Sequence, residues 1–340
     1  MSISSRFPVL IRPLLLAGLG LVVIAAQASP AAASKTPLRR YFPAPVYVAL
    51  QREGAVEVLP GKTICPGFPQ AHYLGLGPRG RWLVISGFAT GNVYLADTAS
   101  GGKVATLRLG GRIQGVKIDP LGRFALAVDA PGGSVKVIGL EPPRIVKSIP
   151  VGPVPHNVIF SPDGRYAYVT LQGADKLAVI DMQRLKVVRR IPLPGMDGPH
   201  NLDLNAAGTR LWIRSRATPR RDGSVAVLDL RTGKILRSFR VGRFHGGIDI
   251  VPGGRYVFAT NIGSDTVDVF DPHALRRVKR IRVGRGPHGV RASPRGRWVY
   301  VSAARGTELD VIDTRTLEVV KRIHLPRGSF PFWLAVVGNP

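Results

Sequence analysis

A frame of four short β-rich runs, repeated along most of this chain, leaves it very few folds. The stretch VGPVPHNVIFSPDGRYAYVTLQGADKLAVIDMQRLKVVRRIP, residues 151–192, is the clearest copy. A run Asn157–Phe160 passes through Ser161-Pro-Asp-Gly164 into Tyr166–Thr170, then through a Gly-containing turn into Leu177–Asp181, and finally into Lys186–Ile191. Short β-branched and aromatic runs separated by turn residues form an antiparallel meander. The frame starts at positions 72, 114, 156, 200, 246, 288 and 332, spaced by 42 to 46 residues. That is the period of four-stranded propeller blades, and the units are too rich in strand for helical repeats.

The copy starting at Pro331-Phe332 ends after one run, PFWLAVVG, while two β-rich runs, Val46–Leu50 and Ala55–Leu59, precede the first full unit. The fragments complement each other. The expected fold is all-β, a seven-bladed β-propeller of four-stranded antiparallel blades over residues 44–340, its ring closed by the C-terminal strand joining the N-terminal strands.

Units such as VPHNVIFSPDGRYAYVT and RGPHGVRASPRGRWVYVSAARGTELDVIDTRTLEVV resemble the YVTN-type β-propeller repeat family, over roughly residues 44 to 340. The resemblance implies kinship by fold with lactonases, with the d1-haem propeller and with the copper-bearing propeller of nitrous oxide reductase. Fold kinship does not select a chemistry.

Residues 1–28 read as a secretory signal peptide: Arg6 and Arg12 without an acid, an apolar run Leu14–Ala26, and a small-x-small site at Ala26-Gln27-Ala28. Residues 29–43, SPAAASKTPLRRYFP, read as a flexible lead-in. Export is therefore expected, to the periplasm, the exterior or the cell surface. Cys65 is the only cysteine, which excludes an intramolecular disulfide, CxxCH haem attachment and Cys-rich zinc sites.

The formal charge is +27. Many cations fall in the fourth run of each unit, including Lys186, Arg189, Arg190, Lys234, Arg237 and residues 276–282. That run is the outer edge of a blade, where charge discourages edge-to-edge pairing. The same rim is suited to polyanions or an anionic membrane surface. No aromatic-interleaved basic groove appears, so sequence-specific nucleic acid is not an expected partner.

The innermost runs line the channel of a propeller. Counting from the frame position, residues two and four on are apolar in every unit, so they pack between blades. Residues one and three on are small, polar or charged, which places Lys117, Asp203, Asp249 and Arg291 toward the channel, where Asp249 and Arg291 are suited to an internal salt bridge. At the frame position itself stand His72, Gln114, His156, His200 and His288, with His245 one residue out of step beside Gly246. These ten side chains are the candidate ligand-binding residues of the channel mouth. His156, His200, His245 and His288 form a contiguous arc that could hold copper, zinc or haem iron, since each offers a neutral nitrogen; a structural role inherited by repeat duplication explains the same pattern. No cofactor is required by the sequence. The Asp residues ending the third runs, Asp97, Asp181, Asp229, Asp271 and Asp313, are suited to capping the next turn.

There is no nucleophile motif, and Glu53, Glu57, Glu141, Glu308 and Glu318 all lie off the inner runs. The expected function is accordingly an exported binding or scaffold protein of the cell envelope, monomeric, holding a small molecule or protein at its channel mouth or basic rim. The alternative is a metal- or haem-binding propeller with redox or hydrolytic, lactonase-like activity through the channel histidines; an enzyme is the less favoured of the two.

Overall fold

The computed structural model describes residues 38–339 apart from residue 62 and residues 217–221. The signal-peptide segment and most of the lead-in lie outside the described residues. Among the described residues, seven four-stranded antiparallel sheets make up a β-propeller. Six blades are consecutive in sequence, over residues 71–108, 113–150, 155–192, 199–243, 248–282 and 287–324. The seventh is composite: Pro331–Val336 supplies its inner strand and Val46–Leu50, Ala55–Leu59 and Thr63–Pro66 the other three. Val46 opposes Val336 and Val48 opposes Leu334, the closure expected from the complementary fragments.

The apolar positions of the inner runs do pack between blades. Leu74, Val116, Val158, Leu202, Ile248, Val290 and Leu334 are all buried. The turns after the inner strands of the six consecutive blades place Gly80, Gly122, Gly164, Gly208, Gly254 and Gly296 at positive φ, between 65° and 73°, which explains the glycine in each of them. The Asp residues after the third strands accept backbone N–H bonds two or three residues on, as from Gln183 to Asp181 (2.9 Å) and from His273 to Asp271 (2.8 Å). Turn capping accounts for them.

The blades are also latched by hydroxyls that the sequence frame did not single out. Thr170 Oγ1 accepts from Asn157 N (3.1 Å) in its own blade and donates to His200 O (2.7 Å) in the next. Thr260 links Gly247 N (2.7 Å) to His288 O (2.7 Å), and Ser302 links Gly289 N (3.0 Å) to Phe332 O (3.1 Å). Each latch ties two neighbouring blades where they meet the channel.

The basic fourth strands are exposed edges, as in Lys186–Pro192. Part of their charge is answered from within. Buried Asp268 pairs with Arg280 (2.8 Å), and buried Asp310 with Arg322 (3.0 Å).

The end of the segment read as a flexible lead-in differs from that expectation. Phe42 is buried and stacks on Tyr300 with ring centroids 5.2 Å apart, while Tyr300 Oη donates to Tyr41 O (2.6 Å) and Trp298 Nε1 to Arg40 O (3.1 Å). An aromatic pair in an otherwise Ala/Pro/Ser-rich stretch is enough to fix its last residues.

Deleting residues 331–340 is expected to leave the apolar strand Val46–Leu50 as an open edge, since every one of its side chains is buried. Size-exclusion chromatography should then show aggregates or an expanded species; a compact monomer would mean that the remaining blades close the ring without that strand.

Candidate functional site

The frame residues gather at one end of the channel, around a cavity of about 610 Å³. His72, Gln114, His156, His200, His245, His288 and Phe332 line it, with Arg112 and Arg216 exposed at its rim. Each inner strand enters the sheet at its frame residue, so the repeat itself delivers one such side chain per blade. In the fifth blade Gly246 takes the slot, and His245 reaches the same cavity from one residue earlier.

The imidazoles pack against each other. Ring centroids of His156 and His200 are 3.5 Å apart, those of His200 and His245 4.3 Å with planes 24° apart, and those of His245 and His288 5.6 Å. Phe332 completes the circle, 3.6 Å from His288 and 3.7 Å from His72. His72, His156, His200 and His288 are at most 5 % exposed, and among the described residues their Nδ1 atoms, together with His288 Nε2, have no hydrogen-bond partner. Burial, reinforced by the neighbouring imidazoles, holds His72, His200 and His288 well below the ordinary histidine range. Burial takes His156 to about 3, and burial together with Arg214 and Arg216 takes His245 to about 4. All five are therefore neutral at physiological pH, with lone pairs available for a ligand.

A bare ion is another matter. Among the described residues no group of three or more His, Cys, Asp or Glu side chains, the expected set His156, His200, His245 and His288 included, is placed to hold a metal ion. Tetrahedral ligation needs the nitrogens to converge on one point, whereas these rings pack on one another, tilted at His156–His200, stacked at His200–His245 and edge to face at His245–His288.

The ten candidate residues also do not form one site. Tyr73 crosses the channel beneath the histidines, donating from Oη to Asn201 Oδ1 (2.9 Å), which also accepts from Asn157 Nδ2 (2.7 Å). Asn201 Nδ2 donates in turn to Gly246 O (2.7 Å). This buried layer divides the histidines from Lys117, Asp203, Asp249 and Arg291, which the period-two alternation carries to the opposite end. There Arg291 Nη1 lies 2.9 Å from Asp249 Oδ1, the internal salt bridge that the inner-strand pattern suggested. Asp249 Oδ2 accepts from Ala292 N (2.7 Å) and Asp203 Oδ2 from Ile250 N (2.6 Å). Burial lifts Asp249 to about 7 and lowers Lys117 to about 8.

Arg214 is the residue that frame reading missed. It occupies, in the fourth blade, the second-strand position where Thr170, Thr260 and Ser302 act as latches, and its side chain is fully buried. Its Nη2 donates to Phe244 O (2.6 Å) and Asn261 Oδ1 (2.9 Å), and its Nε to Thr260 O (3.2 Å). Phe244, held in this way, has φ 58°. A guanidinium longer than the hydroxyl it replaces grips the next inner strand two residues ahead of the frame, which accounts for His245 being out of step. Two departures from the repeat at contacting positions, Arg214 and His245-Gly246, were the available signal.

Residues 216–327 match a family model, that of the cytochrome D1 heme domain. No curated protein matches the chain. Among solved structures, the hydrazine synthase of Kuenenia stuttgartiensis is similar with a TM-score of 0.69 at 19% identity, over 75% of this chain and 86% of that one. A functionally unknown protein from Desulfotomaculum acetoxidans gives 0.73 at 14%, over 87% and 100%. Dihydro-heme d1 dehydrogenase NirN, solved in complex with DHE, gives 0.65 at 20%, over 87% and 75%. The chain thus shares the propeller fold of these proteins and is similar, over the segment that carries Arg216, His245 and His288, to the cytochrome D1 heme domain.

Proposed function

We propose that the histidine mouth binds a flat iron tetrapyrrole of the haem d1 class, and that the protein carries or processes this group in the cell envelope. The observation that carries the reading is the ring of neutral imidazoles, His72, His156, His200, His245 and His288, that lines a cavity of about 610 Å³. Cofactor cavities run from about 300 to 1,000 Å³. The partial match to the cytochrome D1 heme domain and the likeness to NirN support the haem alternative over a pure scaffold.

The donor set suits iron held in a macrocycle better than a bare ion, because the macrocycle supplies most of the coordination and one or two imidazoles suffice. When bound, the group would supply redox or electron-transfer chemistry. The chain's own residues do the rest. His156 and His200, side by side at the centre of the arc, are the residues that would hold the group. Phe88, Phe332 and the remaining imidazoles line the cavity, and Arg112 and Arg216 at the rim suit peripheral carboxylates. The Tyr73–Asn201–Asn157 layer closes the floor against water from below.

The test is titration of the purified protein with haem d1 and, as a comparison, haem b, followed by absorption. Stoichiometric uptake with a shifted Soret band that His156→Phe or His200→Phe removes supports the proposal. No uptake of either haem by the folded protein returns the function to the scaffold reading.

The pH dependence has a definite sign. Ligation needs neutral imidazole, and His156 and His245 stay neutral down to about 3 and about 4. Uptake is therefore expected to persist through pH 6.5, where a solvent-exposed histidine would protonate, and to fail only near pH 4. For the protein alone, the unfolded chain binds more protons than the folded one below about 6.5, so stability falls as pH drops from there toward those folded values. Binding and urea melts at pH 7.5, 6 and 5 check both.

A further inference from the structure

At the end of the channel opposite the histidines, the residues three beyond the frame form a second ring. In adjacent blades it runs Lys117, Ile159, Asp203, Asp249 and Arg291. The last two belong to neighbouring blades and pair directly at 2.9 Å. Lys117 and Asp203 have the same opposite charges, but the blade carrying apolar Ile159 stands between them. Among the described residues neither makes an ion pair within 4 Å, and Lys117 Nζ has no hydrogen-bond partner. Both line a cavity of about 380 Å³ whose walls include Ile159, Phe160 and Ile250.

A cation and an anion that face one apolar cavity, one blade too far apart to touch, are matched by a molecule carrying both charges. We propose that this end of the channel is a second binding site, for a small zwitterion of the apolar α-amino acid class, its carboxylate on Lys117 Nζ and its ammonium on the Asp203 carboxylate. A lone anion would leave Asp203 without a counter-charge in a poorly solvated cavity, and a lone cation would do the same to Lys117; both cost desolvation without recompense. Asp249 and Arg291 answer each other, which leaves Lys117 and Asp203 as the two groups of opposite sign that the ligand meets. The apolar walls receive the ligand's side chain. The floor of Tyr73, Asn157 and Asn201 separates this site from the histidine mouth, so it does not depend on the tetrapyrrole reading.

The experiment is calorimetric titration of the full chain, at neutral pH, with L-leucine, L-methionine and L-phenylalanine, and with phenethylamine and 3-phenylpropionate as single-charge analogues. At least one amino acid is expected to bind, and each single-charge analogue about tenfold or more weaker than L-phenylalanine. Lys117→Met should weaken the amino acid about tenfold and leave phenethylamine unaffected, while Asp203→Asn should do the reverse, weakening the amino acid and sparing 3-phenylpropionate. Circular dichroism verifies that each variant keeps its sheet, and Lys117→Gln, which also removes the charge, stands in if Lys117→Met does not fold. The proposal is overturned if none of the amino acids binds at millimolar concentration, if the analogues bind as well as L-phenylalanine, or if neither variant discriminates between the two ends of the ligand.

Discussion

His200→Phe is expected to abolish tetrapyrrole uptake while leaving the protein at least as stable as the parent. The chain already contains the precedent: Phe332 occupies the same frame position in the seventh blade and packs 3.6 Å from His288 and 3.7 Å from His72. A phenyl ring at 200 keeps the stacking on His156 and His245 and removes a buried Nδ1 that has no partner. An unsatisfied buried polar atom costs about 1–3 kcal/mol, and volume-conserving core changes cost less than about 1.5 kcal/mol, so the net change is near zero or stabilising. Loss of a ligand from the iron has no such compensation. Binding spectra and a urea melt on one preparation decide it: if His200→Phe binds haem normally and loses several kcal/mol of stability, the arc is a structural feature and not a ligand site.

Arg214→Met carries the largest expected loss of stability. The substitution keeps most of the volume but strips the donors from Phe244 O, Thr260 O and Asn261 Oδ1 in a fully buried place. A buried acceptor left without its donor costs about 1–3 kcal/mol. Arg214→Lys should recover little, because one ammonium cannot reproduce the fork that spans three acceptors. Arg214→Thr is the informative variant. It restores the residue found at the equivalent place in the third and fifth blades, so part of the loss should return. His245 should then shift toward its frame position, visible as a changed imidazole resonance. Wild-type stability for Arg214→Met in a urea melt would refute the assigned role.

The fold was legible because a propeller writes the same short instruction many times. The period, the Gly164-type turns and the apolar alternation of Val158 and Phe160 each recur, and the split blade was visible as two fragments that complete each other. The site was legible by position and not by arrangement. Alternation sent Asp203 toward the channel axis and the start of the run put His156 at the channel's end, but strand periodicity does not say how far apart two pleats lie along a channel, nor that Tyr73 would cross it and divide one supposed mouth into two. It also says nothing about ring orientation, which separates stacked imidazoles from a converging metal set. Arg214 was hidden because it breaks the repeat and so resembled noise in a pattern read for its regularity. The hydroxyl latches Thr170, Thr260 and Ser302 were hidden for the opposite reason, since Thr and Ser are common in strands for their shape alone.

The blade shared by the two ends of the chain sets an order of events during synthesis. Six blades are built from hairpins between neighbouring runs and can form as soon as their residues emerge. The seventh cannot: Val46 waits for Val336, and bringing such distant partners together carries the largest loop-closure cost in the molecule. Until the final strand arrives, Val46–Leu50 is an apolar ribbon with one unpaired side, made first and satisfied last. The nascent chain is therefore most vulnerable to proteases and to mispairing until Pro331–Val336 has emerged, and truncation ahead of that strand would do more harm than many substitutions within a blade.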